Sequence, residues 1–303
     1  LAVAVVACQS PRRRVSLIVE GATVITGNAS GDILSPGAVV VDADTILEVG
    51  HPAAMREKYA ARELVDAGGE IVLPGLVNTH THAPMVLYRG LADDLALKEW
   101  LERYIFPAEA KTVSPEFVRM GTRLAVLEMI ESGTTTFANM YYFEEEIARA
   151  TRAAGLRAVL GQTIIQFPVA DARSPSEGLA RTEAFIKQFQ GDPLITPAVA
   201  PHAMYTLDRA SLVASAELAR RYDVPVLIHL AETRDEVEGS RKEHQTSPVL
   251  YLKSLGFWGP RVLAAHGVWL DAADMAVLAK DGVGVSHNPE SNMKLASGFA
   301  PVT

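Results

Sequence analysis

Cysteine is almost absent. Cys8 is the single one in 303 residues, which excludes an intrachain disulfide and a cysteine-built zinc site. No run of about 20 apolar residues occurs, so no membrane-spanning helix is expected. Positive charge is in deficit: 28 Lys and Arg against 36 Asp and Glu give a net charge of -8. That balance argues against a general nucleic-acid binder. The one short basic cluster, Arg12-Arg13-Arg14, reads as a solvated patch. No glycine-rich fingerprint follows any predicted strand, which weakens a Rossmann-type nucleotide-binding reading. What is there is 49% hydrophobic and 21% charged, a globular composition with enough apolar residues for a large core.

An initiating methionine is also lacking. The chain opens on Leu1 and closes on Ala300-Pro301-Val302-Thr303, and it reads as a fragment at both ends. Leu1 to Ala7 is wholly apolar and runs into Cys8-Gln9-Ser10. This resembles the tail of a bacterial lipoprotein signal peptide. Residues 1–14 would then be a signal remnant, with a lipid anchor at Cys8 and a place in the cell envelope. A mis-started cytoplasmic chain is the alternative.

Residues 15–70 are rich in β-branched residues broken by turns, and read as the N-terminal part of a small β-sandwich. Ser16 to Val19, Ala22 to Ile25, Ala38 to Val41 and Thr45 to Val49 are its predicted strands; Asn28 to Asp32 and Ser35-Pro36-Gly37 are its turns. From Ile71 the rhythm changes to strand, loop, helix, repeated. Predicted strands end near Asn78, Ala138, Gly161, Ala200, His229, His266 and His287. Helices begin at Ser114-Pro115, Glu144, Ser174-Pro175, Asp208, Ser247-Pro248 and Asp271. Several starts carry an N-cap followed by proline, and Ser174-Pro175-Ser176-Glu177 reads as a capping box. Seven strands alternating with helices predict an α/β fold with parallel βα units. One more unit would complete a (β/α)8 TIM-type barrel, so residues 71–303 read as a barrel lacking its last βα unit. A doubly wound open sheet is the alternative.

The most informative stretch is Leu73-Pro74-Gly75-Leu76-Val77-Asn78-Thr79-His80-Thr81-His82. Ile71 to Asn78 reads as a buried strand, and His80 and His82 close it. Residues i and i+2 of a strand share a face, so both imidazoles project together and offer half of a tetrahedral metal site. His202, His229, His266 and His287 also fall at or just past predicted strand ends. In a barrel these ends share the active-site face, where six histidines point to metal rather than to structure. His244 reads as a surface histidine, and His51 has no predicted role. Glu232 lies three residues after His229, where a carboxylate beside a metal-bound water can act as base and then as acid. The fourth strand, Ile195 to Ala200, has no lysine that could become carboxylated and bridge two metals, which favours one divalent ion.

With these stretches in view, the sequence resembles the amidohydrolase superfamily, in the branch of 5-methylthioadenosine/S-adenosylhomocysteine deaminases and triazine chlorohydrolases. The likeness runs through Leu73 to Arg89, Pro107-Ala108-Glu109, Gly133-Thr134-Thr135, Pro201-His202-Ala203, His229 to Glu232, Ala265-His266-Gly267 and Ser286-His287-Asn288-Pro289. It implies that His80, His82 and His229 bind one divalent metal, zinc or else iron. Glu232 would shuttle the proton, and His266 would orient hydroxide and leaving group. Trp100, Glu109 and His202 would contact a nucleoside, Glu109 through its ribose hydroxyls. Gln162 stands where relatives that take S-adenosylhomocysteine carry arginine, and Met204 where proline is frequent. The resemblance also implies an eighth strand ending in a metal-binding aspartate, expected about 10–25 residues past Thr303.

The expected activity is metal-dependent hydrolytic deamination of an adenosine-type nucleoside. Rival substrates on the same machinery are a triazine, a pterin, guanine or cytosine. A rival of another class is a non-catalytic metal-binding barrel. The expected partner is a small molecule, with no nucleic acid, no membrane contact other than through Cys8, and a homo-oligomer left open.

Overall fold

A computed structural model of the protein describes residues 11–302. Cys8 and the signal-like run before it lie outside the described residues. The chain divides into two units, residues 1–75 and 76–303.

The first unit is one sheet with a short helix. Its elements are β1 (Arg13–Ile25), β2 (Ile33–Asp42), β3 (Thr45–Gly50), α1 (Pro52–Lys58), β4 (Tyr59–Asp66) and β5 (Ile71–Val72). The order is β3-β2-β1-β4, with β5 also paired to β1. Strand β1 is antiparallel to β2 and parallel to β4 and β5. Val15, Ile18, Ala38, Val40 and Met55 form one core cluster; Ala22, Val24, Val39 and Ala67 form another. The two strands expected before Ile25 are one, because Gly21 at φ 85° and a register shift carry the ladder past the break. Ser35-Pro36-Gly37, expected as a turn, lies inside β2. Gly37 is needed there, since a Cβ would sit 2.6 Å from Val24 Cγ2.

The second unit is built on seven parallel strands. They are β6 (Leu76–Thr81), β7 (Thr134–Tyr141), β8 (Arg157–Ile164), β9 (Ile195–Pro201), β10 (Val226–Leu230), β11 (Val262–His266) and β12 (Gly284–Ser286). They pair in chain order, with β6 and β12 at the two edges. Between β6 and β7 come α2 (Leu97–Trp100), a π-helical stretch (Leu101–Ile105), α3 (Phe106–Thr112) and α4 (Pro115–Glu131). The later helices are α5 (Glu144–Ala154), α6 (Pro175–Phe189), α7 (Arg209–Tyr222), α8 (Arg234–His244), α9 (Pro248–Ser254), α10 (Ala272–Lys280) and α11 (Pro289–Lys294). This is the expected TIM-type arrangement, with parallel strands joined by helices.

Capping residues set the helix starts. Ser114, Ser174, Asp208, Thr233, Ser247 and Asp271 each accept a backbone N–H from the first turn of α4, α6, α7, α8, α9 and α10. The box expected at Ser174 is only half formed. Glu177 instead accepts from the backbone of Arg173, one residue earlier. The inner layer of the sheet packs three alanines, Ala138, Ala198 and Ala200, against Met140 and Leu227. Gly161 belongs to it, since a Cβ there would meet Ala200 Cβ at 2.7 Å.

The stretch expected as one buried strand from Ile71 is neither one strand nor buried. Ile71–Val72 pairs with β1, Leu73-Pro74-Gly75 interrupts, and β6 starts afresh at Leu76. Leu76 and Val77 are 52% and 60% exposed because β6 is a sheet edge. Pattern reading registers that residues are apolar, but not which strand lies alongside them.

Candidate metal centre and active site

Five of the six strand-end histidines come together. His80 and His82 close β6, His202 follows β9, and His229 and His266 lie at the ends of β10 and β11. Ring centroids of His80 lie 4.9 Å from those of His82 and His229, and 5.2 Å from that of His266. The His202 ring lies tilted beside that of His229, with centroids 4.7 Å apart. His287 does not join them. Ser286 before it is buried, so His287 takes the opposite side of the strand and is exposed.

The donor nitrogens of His80, His82 and His229 lie within 4.8 Å of one another. Two carbonyls set their tautomers. His82 Nδ1 bonds to the Met140 carbonyl at 2.6 Å, and His229 Nδ1 to the His202 carbonyl at 2.7 Å. A carbonyl only accepts, so both Nδ1 atoms carry the hydrogen and both Nε2 atoms are bare. Those two Nε2 atoms face each other at 3.2 Å. Bare lone pairs at that distance repel, and a cation between them removes the conflict. Nitrogens held tetrahedrally at ~2.0–2.1 Å from zinc lie about 3.3 Å apart. The three imidazoles therefore fit a metal ion. Burial, and for His80 and His229 the neighbouring rings too, holds all three pKa values below the usual histidine range. They are neutral at pH 7, as ligation requires.

A polar bracket fixes the histidine loop. Asn139 is fully buried at the end of β7, and its Oδ1 accepts from Ala83 N at 2.7 Å and from Thr81 Oγ1 at 3.1 Å. Its Nδ2 donates to Glu144 Oε1 at 2.7 Å, which also accepts from Tyr141 N at 2.8 Å.

Glu232 and His266 face the same centre. Their Oε2 and Nε2 atoms are 3.6 Å apart, and both side chains are buried. Burial, helped by the nearby Glu236 carboxylate, pushes Glu232 up to about 8. A carboxyl with such a pKa can hold or release a proton near neutrality. Burial lowers His266 to about 4 and His202 to about 3. His266 Nδ1 bonds to Asn292 Oδ1 at 3.0 Å, leaving Nε2 as an acceptor. His266 and Ala231 have φ of 78° and 48°. This is local strain of the kind kept at functional sites. Glu236 supports it by accepting from Ala231 N and Glu232 N, each at 2.9 Å.

The five gathered histidines and Glu232 line a cavity of about 350 Å³. Trp100 and Glu109 lie on its wall, so of the residues expected at the site all but His287 border one space. Burial pushes Glu109 up to about 7, against a lowering hydrogen bond from Tyr141. Gln162 and Met204 are absent from the lining. Gln162 donates to Asp171 Oδ2 at 2.9 Å, and Met204 packs in the outer core. Neither side chain reaches the cavity, so neither supplies a contact there for a substrate's tail. Tyr141, Asn139, Asn292 and Glu236 were missed. Only Glu236 left a signal: Thr233-Arg234-Asp235-Glu236 has capping-box spacing.

The geometry can be set beside known proteins. The sequence profile of the amidohydrolase family matches residues 71–303. A 5-methylthioadenosine/S-adenosylhomocysteine deaminase of Thermodesulfovibrio yellowstonii is 47% identical over 289 residues, 95% of this chain and 66% of that protein. A 5'-deoxyadenosine deaminase of Methanothrix thermoacetophila is 43% identical over 286 residues, 94% of this chain and 66% of that protein. The chain thus spans just under two thirds of the length of these relatives. An adenosine deaminase from Xanthomonas campestris, crystallised with bound zinc, superposes with a TM-score of 0.93 at 40% identity, over 96% of this chain and 66% of that one. A guanine deaminase from C. acetobutylicum, with a TM-score of 0.83 at 22% identity over 94% of this chain and 70% of that one, shares the fold. By the family profile and by its relatives, the chain belongs to the amidohydrolase family.

Proposed function

We propose that the protein hydrolytically deaminates a 6-aminopurine nucleoside at a single zinc ion held by His80, His82 and His229. The observation that carries this is the facing pair of bare Nε2 atoms with Glu232 and His266 beside it, in a cavity whose wall carries Glu109. The naming of three similar proteins as adenosine-type deaminases supports the substrate. When bound, the ion supplies Lewis acidity that brings the pKa of water towards ~7.

Glu232 accepts the proton of the attacking water and passes it to the ring nitrogen next to the amine-bearing carbon. His266 Nε2, kept free of hydrogen by Asn292, accepts a hydrogen bond from that water and orients its oxygen. Glu232 next takes the remaining hydroxyl proton and delivers it to the amine, the carbon–nitrogen bond breaks, ammonia leaves, and the purine keeps the oxygen. Glu109 receives the ribose hydroxyls, while Trp100 and His202 flank the base. Ammonia release and the ultraviolet shift from adenine to hypoxanthine, measured on full-length protein with adenosine and 5'-substituted adenosines, test the proposal. Turnover of guanine, cytosine or a triazine with none of any adenosine derivative would move the same machinery to another substrate.

A further inference from the structure

The C-terminal end of β7 carries contacts to both halves of the site. Asn139 holds the loop of His80 and His82, and the Met140 carbonyl orients His82. Tyr141, next in the chain, reaches the cavity wall instead. Its hydroxyl donates to Glu109 Oε1 at 2.7 Å, and both residues are buried and line the cavity. Among the described residues this is the one hydrogen bond made to the Glu109 carboxylate. Oε2 has none, yet it is not sealed from solvent. A buried carboxylate left with no donor would tend to take up a proton and turn about its last torsion.

We infer that Tyr141 is a specificity-determining positioning residue, which fixes the Glu109 carboxylate so that its second oxygen receives the vicinal hydroxyls of a ribose. The inference rests on the proposed reading of Glu109. Tyr141 itself acts through Glu109, from a different element 32 residues away. A diol presents two donors, and a carboxylate held in one orientation offers them acceptors in one plane. If only Glu109's identity mattered, the tyrosine hydroxyl would be dispensable.

The test uses full-length protein as parent, Tyr141→Phe, Glu109→Gln and the double variant. Substrates are adenosine and 2',3'-dideoxyadenosine, which has no diol. Tyr141→Phe is expected to raise KM for adenosine about tenfold, the effect of one hydrogen bond to a charged group, with kcat changed less than about twofold. KM for the dideoxy substrate, the bound metal and the melting midpoint are expected to stay near the parent's. In the Glu109→Gln background the same change is expected to add less than about twofold, because the two residues act as one unit. Equal KM increases on both substrates would overturn the inference, as would an undiminished effect without Glu109. Loss of metal or of cooperative melting in Tyr141→Phe would also overturn it, by making the tyrosine structural. A parent inactive on adenosine would remove the functional reading itself; a parent active on adenosine whose preference Tyr141→Phe leaves intact sinks this inference alone.

Discussion

At the scale of single residues, the site is a set of neutral imidazoles and one proton-carrying acid, and each makes a separate demand. His80→Ala or His229→Ala removes one of three donor nitrogens, and elemental analysis should then find well under one equivalent of metal. Unchanged metal in both variants would refute the site. Glu232→Gln keeps size and polarity but cannot carry a proton. It should keep its metal and lose roughly 10²–10⁴-fold in kcat; undiminished turnover would exclude it as the shuttle. Glu109 gives a prediction in pH. Its folded pKa of about 7 lies above the ordinary 4.5. Below both values it is protonated folded or unfolded, and costs nothing. As pH rises between them, the unfolded chain releases a proton that the folded chain keeps, so stability falls, and the full cost stands above the folded value. That gap amounts to roughly 3 kcal/mol. Glu109→Gln should therefore gain stability over the parent at pH 8 but not at pH 4, read from urea midpoints. Other buried acids and the histidines affect both proteins alike. An equal difference at the two pH values would contradict the shifted carboxyl.

At the scale of elements, what the sequence disclosed depended on whether local pattern or partner choice decided the outcome. The seven strands from β6 onward were legible because apolar runs alternate with capped helices. Histidines mark the ends of β6, β9, β10, β11 and β12; β7 and β8 have none and run three residues past their expected ends, Ala138 and Gly161. Helix α8, Arg-Asp-Glu-Val-Glu-Gly-Ser-Arg-Lys-Glu-His, was not. Its core contact is confined to a few residues such as Glu236, Val237 and Ser240, too thin an apolar stripe to read. Strand β4, Tyr-Ala-Ala-Arg-Glu-Leu-Val-Asp, carries helix-forming residues and is a strand because β1 pairs with it. Hydrogen bonds inside the site were the least visible. Nothing about Asn139 in the chain announces that it holds Ala83 and Glu144. Asn139→Ala leaves the buried Ala83 N–H without its acceptor and should destabilise by about 2–4 kcal/mol. It should also weaken metal binding 10–100-fold, on the order found for groups that hold ligands in place. Chelator competition and urea melts check the two effects, and a variant unchanged in both would show that the bracket is incidental.

At the scale of the whole molecule, the seven-stranded sheet has two edges, and apolar surface gathers beside them. Leu76 and Val77 on edge strand β6 are exposed, as is Val285 on β12. On α4, Met120, Leu124, Leu127 and Ile130 are exposed, while Val118, Ala125, Val126 and Met129 are buried on the opposite face. A helix apolar on both sides is one with two packing surfaces. Thr79 and Ser286, one from each edge strand, do meet through their hydroxyls at 2.6 Å. One such contact stands in for no ladder, since the edge backbones keep their own unpaired groups. Exposed edges beside apolar patches favour association between copies. Residues 1–303 produced by themselves are therefore expected to self-associate. Light scattering behind size exclusion should give a mass above the 32.6 kDa of the chain. Replacing Val77 and Leu127 by lysine puts charge on an edge and on the helix face, and should shift the population towards the monomer. A chain that elutes as a monomer at high micromolar concentration, before any such change, would show that these surfaces are covered in solution by some rearrangement of the chain itself.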